Sequence, residues 1–520
     1  MGEQVETNQN KKYMMHKYWG KKPAKELREI VLDYSKEQDL LLDPFAGYGG
    51  FSSEAVLSNR NVISNDLNPM ANFINARLLS TDINFNVIDD FMNTIKSETQ
   101  AIRDYWYSID VDGKQYEVLT TLRRKSGEVI KNKVIGVDEK KSKEIVLSST
   151  EASEFSEKES AFVIKDWFPT NELIPNSRIS AKKNMTVADL FDIRSLSSHS
   201  ILFKVINSFP DCEEKKLLLF AFTSNLANAS RLVPPIKSRG DMSQGAWMTG
   251  FYIGETYLEN NVFHYFNNRV AKIVAGKKEY LNQYYDLFQK GNYIISNEDA
   301  KNLSLADKHV DLVFTDFPYG DAVPYFEQSI IWNSWLKFNV DYDNEIVISD
   351  SKNRNKDNME FKNGISKSIS EIHRVLKDDG FFVFTYHSLS GFEWSTITNA
   401  LLKEGFEIIN CKLLEQKTFT PRQLNRKKTI KGDLLVVCKK NTSYNDVHEF
   451  PDNSIEEEFV KKLFVDTIYN GFYETNEIIV EFLKRFFEER VIVRNLSIIS
   501  LLQDIAIFDG KGWILKNENV

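Results

Sequence analysis

The sequence predicts an α/β fold: a doubly wound, mostly parallel sheet interrupted by a large inserted module and followed by a small C-terminal helical module. Three observations predict it. A strand, a glycine turn, a helix and a second strand follow one another within residues 39–64; strands and helices alternate again after residue 290; and a helical tail begins after residue 441. With 520 residues, 42% hydrophobic and 27% charged, the composition is that of a globular protein of about two to four domains. Collagen-like, mucin-like and wholly disordered classes are excluded. No run of 18 apolar residues occurs, and the N-terminal MGEQVETNQNKKYMMHKYWG lacks the apolar core of a secretory signal, so a soluble cytoplasmic protein without membrane contact is expected.

The elements follow in order. Leu27, Ile30, Val31 and Tyr34 recur at helical spacing over residues 25–34. The apolar run at 39–42 reads as a strand, the glycines after Asp43-Pro44 as a turn, residues 52–58 as a helix and 61–64 as a second strand. Residues 1–80 form the first part of the sheet domain. Residues 81–290 break the alternation, and aromatic and β-branched runs at about 104–147, split by DG and SG, predict hairpins in this inserted module. Strands at 293–296, 310–315, 381–386, 406–410 and 434–438, with helices at 366–376 and 394–403, complete the sheet domain over 291–440. Asp379-Gly380 is expected to stop the first of those helices, and the last strands to form an antiparallel edge. In residues 441–520, Ser454 with Glu457 three positions later reads as a capping box, and FDGKGWIL as a hairpin, giving either a winged-helix-like module or a plain helical cap.

The net charge of -8 excludes a histone-like coat of positive charge but not a local basic groove. Cys212, Cys411 and Cys438 form no C-x-x-C pair, and His16, His373 and His387 show no ligand spacing, so neither a disulfide framework nor a metal site is expected. His373 is expected at the surface and His387 at a strand end.

The strongest local signal is LLLDPFAGYGG, residues 40–50, where a strand hands over to a helix. Gly47, Gly49 and Gly50 remove side chains that would keep a ligand from the backbone, and the helix N-terminus offers free N–H groups. Asp66, 23 positions after Asp43 at the end of the second strand, can accept both hydroxyls of a ribose. That spacing suits an adenosine, whereas the absence of G-x-G-x-x-G disfavours NAD.

These residues resemble the S-adenosylmethionine-dependent methyltransferases, whose amino-methylating DNA members carry a D-P-F-x-G-x-G turn followed by an acidic D-x-N-P. The resemblance implies a Rossmann-like methyltransferase sheet and a cofactor held by His16, Asp43, Pro44, Phe45, Gly47, Gly49, Asp66, Leu67, Asn68, Asp299 and Ala300. His16 lies in HKYWGKKP, similar to the element that holds the methionine end, and Asp299 in SNEDAKNL is similar to the acceptor of the adenine amino group. Asp316, Phe317, Pro318 and Tyr319 resemble the catalytic D-P-P-Y, with phenylalanine where the family usually has proline. The carboxylate of Asp316 and the carbonyl of Phe317 would accept the hydrogens of an exocyclic amine, localising its lone pair, and Tyr319 would stack on a base flipped out of the duplex.

GDAVPYFEQSIIWNSWL is similar to the D-N-V-x-Y-x-E-L-S continuation of one DNA methylase group and implies Glu327 and Trp335 near the catalytic loop. MTVADLFDIRSL, LLLFAFTSNLANASRL and FYIGETYLENNVFHYFNNR are similar to the same group, so the resemblance covers roughly residues 11–440. Some members carry a cysteine zinc ribbon in the insertion; residues 105–136 here contain no cysteine, so no metal is implied. The insertion is the candidate target-recognition region, with Arg231, Lys237 and Arg239 as DNA contacts, and PRQLNRKKTIKG offers Arg422, Arg426, Lys427, Lys428 and Lys431 to phosphates. C5-cytosine methylation needs a thiolate, normally in a P-C dipeptide, and Cys212 stands in PDCEE, so amino-group methylation fits better. The expected function is methylation of double-stranded DNA at adenine N6 in preference to cytosine N4, alone or with a restriction or defence-system partner. Methylation of guanine N2 in transfer RNA, and a decayed subunit that binds cofactor and DNA, are the alternatives.

Overall fold

The computed structural model describes residues 10–516 except 112, 137, 387–390, 415–431, 442–446, 451, 472–473, 495–497 and 511. The first unit is α1 (Ala24–Tyr34), β1 (Leu40–Asp43), α2 (Gly50–Leu57), β2 (Asn61–Asn65) and α3 (Pro69–Leu79). The insertion holds α4 (Phe85–Glu98), α5 (Gln100–Tyr107), β3 (Ser108–Val111), β4 (Lys114–Arg124), β5 (Val129–Gly136), β6 (Lys143–Ile145), α6 (Ser149–Ala161), α7 (Ile193–Ser208), α8 (Glu213–Leu226), β7 (Thr256–Asn260) and α9 (Val262–Tyr285). The sheet resumes with β8 (Tyr293–Ser296), β9 (Val310–Asp316), α10 (Tyr325–Trp335), α11 (Asn358–Val375), β10 (Leu376–Tyr386), α12 (Gly391–Lys403), β11 (Phe406–Leu414) and β12 (Asp433–Lys440).

Seven strands form the central sheet in the order β11-β12-β10-β9-β1-β2-β8. β9 and β1 lie at its centre, and their near-continuous apolar runs are what a parallel strand covered on both faces requires. β8, β2, β1, β9 and β10 pair in parallel, while β12 runs antiparallel to both β10 and β11. The last two strands thus form the expected antiparallel edge, with β12 the reversed strand and β11 outermost. Asp379-Gly380 does not stop a helix as expected: α11 ends at Val375, and the pair lies in β10, at the register shift against β9 between Leu376 and Phe381. A Cβ on Gly380 would stand 2.8 Å from the Asp311 carbonyl, so glycine lets the shifted strand pass close to its neighbour.

The hairpins of the insertion form as expected, though Tyr105 and Trp106 belong to α5 and the first strand begins at Ser108. The insertion shares a continuous apolar core with the sheet domain. α10 joins them: Tyr325 at its start faces the sheet's carboxyl ends, and Trp335 at its end packs among Phe191, His199, Phe203 and Phe222 of the insertion. α9 reaches the other way, sending the buried Lys277 ammonium to the carbonyls at the end of α3, with Nζ 3.0 Å from Arg77 O, 2.9 Å from Leu78 O and 2.6 Å from Ser80 O. These bonds satisfy carbonyls a helix end leaves open. Burial lowers the Lys277 amine to about 7, and Lys277→Met is expected to lower stability by about 2 kcal/mol, since its hydrogen bonds are lost and the carbonyls stay buried; denaturant titration checks it.

After β12 come α13 (Asn453–Tyr469), α14 (Thr475–Glu488), α15 (Ile498–Ile505) and a hairpin of Ala506–Phe508 with Trp513–Leu515. The cap of α13 is Asp452 rather than Ser454: its carboxylate accepts from Ser454 N at 2.9 Å and Ile455 N at 3.0 Å, and its charge suits a helix N-terminus better than a hydroxyl does. These helices rest on α12 and β11, burying Phe464, Phe482 and Phe486 in one core with Trp394 and Phe406. His373 is half-buried edge-on against the Phe406 ring at 5.2 Å, not at the surface as expected.

Candidate active site

In a parallel sheet the carboxyl ends of neighbouring strands open on one side, and ligands bind there. Asp43 ends β1, Asp66 follows β2, Asp299 follows β8 and Asp316 ends β9, and all four line one cavity of about 1050 Å³ including its open mouth. Pro44, Phe45, Gly47, Leu67, Ala300 and Pro318 line it as well. The loop before α1, Tyr18 to Lys22, forms another wall, and Tyr325, Phe326 and Glu345 complete it.

The glycine turn is held by the acid it serves. Gly47, at φ +51°, donates its N–H to Asp66 Oδ2 at 2.9 Å, and Asn68 N–H donates to Asp66 Oδ1 at 2.8 Å. A carboxylate has about four acceptor positions, so two remain for a ligand's hydroxyls. Burial pushes the Asp66 carboxyl up to about 6, partly offset by those two N–H groups. Burial pushes Asp43 well up too, with Asp66 and Asp316 adding to it. Glu345 lies in the same wall, raised by burial and by Glu327. Arg354 compensates Glu345, but among the described residues no ion-pair partner meets Asp43 or Asp66, a shortfall that a cationic ligand would make good.

Asp316 is enclosed by donors. Lys22 Nζ lies 3.0 Å from its Oδ1, the Tyr319 hydroxyl donates at 2.8 and 2.9 Å to its two oxygens, and Thr385 Oγ1 donates to Oδ1 at 2.8 Å. Burial raises this carboxyl, Lys22 pulls it back and Asp433 raises it again, leaving a net upward shift.

Several expected site residues stand elsewhere. His16 does not line the cavity: it is buried in a stack on Phe220 with Nε2 3.1 Å from Thr223 Oγ1, and burial lowers it to about 3. Gly49 turns toward Asn75, not toward the cavity. Asn68 caps α3, accepting from Met70 N, and bonds Ser329 and Tyr18 in the core. Phe317 is buried, with its ring in the core beside Phe45 and Phe384, and it is not among the residues lining the cavity. Tyr319 is not a wall of the cavity; its ring lies nearly parallel to Tyr386 at 5.9 Å. Glu327 is buried on Arg354 at 2.6 Å, which also holds Glu345, and Trp335 is the far end of α10. Arg231 is partly exposed and donates to the Asp189 and Lys125 carbonyls, whereas Lys237 and Arg239 are exposed. His387 and the stretch with Arg422, Arg426, Lys427, Lys428 and Lys431 lie outside the described residues. Lys22 and Tyr325 lie in segments the sequence singled out but were not themselves named as site residues, while Asp433 and Glu345 carry no local signal until the fold brings them to Lys22 and the cavity.

No curated protein matches the chain. Among solved structures it is similar to a TehB-like SAM-dependent methyltransferase from Corynebacterium glutamicum, at 14% identity over 32% of this chain and 63% of that one, TM-score 0.16. It is also similar to an S-adenosylmethionine dependent methyltransferase from Mesorhizobium loti, at 13% identity over 31% and 77%, TM-score 0.18. A SAM-dependent methyltransferase from Methanosarcina mazei matches at 12% identity over 29% and 68%, TM-score 0.16. The chain thus spans less than two thirds of the first of these, and the fold rests on the strand order above. Residues 2–74 and 310–482 match the DNA methylase family model, and on these segments, which hold every acid of the cavity named above except Asp299, the chain is similar to methyltransferases that take the methyl group from S-adenosylmethionine.

Proposed function

We propose that the protein methylates an exocyclic amine of double-stranded DNA, adenine N6 in preference to cytosine N4, with the base turned out of the helix into the cavity. The observation that carries this is that Asp66, on the nucleoside side, and Asp316, on the acceptor side, open into one cavity. The lining fits S-adenosylmethionine: buried carboxylates would face its two positive centres, and Asp66, Leu67, Asp299 and Ala300 would hold its adenosine. When bound, it supplies an electrophilic methyl group.

The chain's own residues prepare the nucleophile. An exocyclic amine has its lone pair delocalised into the ring, and accepting its two N–H groups returns that pair to nitrogen. Asp316 and the Phe317 carbonyl are the acceptors, and Pro318 restricts Phe317 to extended backbone, fixing where the carbonyl points. The amine would replace the Tyr319 hydroxyl on Asp316, and the released Tyr319 ring would turn toward the base. Phenylalanine in place of proline keeps the carbonyl and fills the core, so the reaction survives it. Lys237 and Arg239, on the exposed loop of the insertion, would contact phosphates.

Transfer of tritium from labelled cofactor, followed by chromatography of the hydrolysed nucleosides, tests this. Label in N6-methyladenine from duplex DNA supports it. Label in N4-methylcytosine corrects the base, label in transfer RNA alone replaces the substrate, and cofactor binding without transfer to either would leave a binding subunit. Cofactor affinity should also depend on pH. Asp66 must be ionised to meet the ligand, and with its carboxyl at about 6 it is protonated below that. Affinity should therefore rise with pH, the dissociation constant at pH 5 being about tenfold weaker than at pH 7.5, by calorimetry. Asp66→Asn should bind weakly and lose most of this dependence.

A further inference from the structure

The catalytic carboxylate proposed above is not alone in its pocket. Lys22 Nζ donates to Asp433 Oδ2 at 2.7 Å and to the Tyr319 hydroxyl at 2.7 Å, and forms an ion pair with Asp316 Oδ1 at 3.0 Å. The lysine side chain is 7% exposed, and Asp433, the first residue of β12, is 8% exposed. Gly20 makes the approach possible: at φ +74° it lays the N-terminal loop against the site, and a Cβ there would stand 3.2 Å from Asp316 Oδ2. An ammonium bridging two buried carboxylates and the catalytic tyrosine is a built arrangement rather than a surface ion pair.

We infer that Lys22 is a positioning residue for methyl transfer, holding the Asp316 carboxylate ionised and aimed, and that Asp433 sets how much of the lysine's charge Asp316 feels. This rests on the proposed role of Asp316. The other groups facing Asp316 are Tyr319 of its own loop, Tyr325 of α10, Asp43 of β1, Asp433 of β12 and the Thr385 hydroxyl of β10. All of the titratable ones are acids, so among these described groups Lys22 is the one cation opposing the upward push of burial, with the Tyr319 hydroxyl adding a hydrogen bond in the same direction. During the reaction Lys22 keeps its proton, and the proton released from the amine passes to the Asp316 side.

The sign of each change follows. Without the ammonium, Asp316 takes up a proton at higher pH, and the acid limb of the single-turnover rate moves up. Without the Asp433 charge, Asp316 is less repelled and keeps the whole lysine, and the limb moves down. The experiment measures single-turnover methylation of duplex DNA against pH for the wild type, Lys22→Met, Lys22→Arg and Asp433→Asn, with cofactor binding as the check on folding. Expected are a rise of about one to two pH units for Lys22→Met, a fall of about half a unit for Asp433→Asn, and recovery in Lys22→Arg. A side chain that only packs would slow the reaction at every pH without moving the limb. Limbs that stay within 0.3 units, or that move the same way in Lys22→Met and Asp433→Asn, overturn the inference. Because Asp433→Asn is isosteric, it decides the matter even if Lys22→Met does not fold. If the wild type does not methylate DNA, or Asp316→Ala methylates it as well as the wild type, the proposed function fails instead.

Discussion

Asp316→Asn is expected to slow the single-turnover transfer of methyl to duplex DNA by about a thousandfold, while cofactor affinity changes by about threefold or less. The amide keeps the volume of the carboxylate and one acceptor oxygen. What it loses is the negative charge and an acceptor position, and it adds an N–H₂ that points hydrogens at an amine that needs acceptors. The expected loss therefore falls on the bond-making step, where charge develops on the nitrogen, and not on the binding of either ligand. The same substitution at Asp66 should behave in the opposite way, weakening cofactor binding first and leaving the rate at saturation closer to the wild type. That contrast separates the nucleoside side of the cavity from the acceptor side. Lys22 would retain Asp433 as a partner at 2.7 Å, so the variant should fold. A rate within threefold of the wild type, measured with labelled cofactor at saturation, would remove Asp316 from the chemistry.

The four acids that end or follow neighbouring strands were legible because each is tied to a local pattern: an apolar run, then a turn, then an acid at the strand's carboxyl end. Such patterns are short and survive without knowledge of the fold. The sheet order was less legible, since β12 enters between β10 and β11 and nothing in the chain order says so. Side-chain direction was the larger gap. His16, Gly49, Asn68 and Phe317 all belong to the right segments, yet each turns away from the cavity, because alternate residues of a tight segment must satisfy the core while the others face the ligand. Lys22 and Asp433 are 411 positions apart and meet only when the N-terminal loop folds over the end of β12. No spacing rule reaches across that distance. Arg231 meets the Asp189 and Lys125 carbonyls across 42 and 106 positions, contacts that no local pattern announces.

Gly49→Ala should lower stability by about 3 kcal/mol and abolish measurable cofactor binding, for a reason different from the one the glycine turn first suggests. Gly49 has φ +84°, a region in which an alanine costs about 1–2 kcal/mol. A Cβ there would also stand 1.9 Å from Asn75 Oδ1, so the asparagine must leave. Asn75 is the strut of the turn: its Nδ2 donates to the Gly47 and Ala71 carbonyls at 2.8 Å each, and its Oδ1 accepts from Ser64 Oγ at 2.8 Å. Displacing it strands buried polar groups and frees Gly47, whose N–H holds Asp66 at 2.9 Å. The small residue is thus needed so that a neighbouring side chain, not a ligand, can approach the backbone. A double-mutant cycle with Asn75→Ala isolates that contact. With the strut already gone, adding Gly49→Ala should cost only the backbone term, leaving a coupling of about 1–2 kcal/mol by denaturant titration. If the two substitutions simply add, Gly49 is required for its backbone angle alone and the strut plays no part in shaping the site.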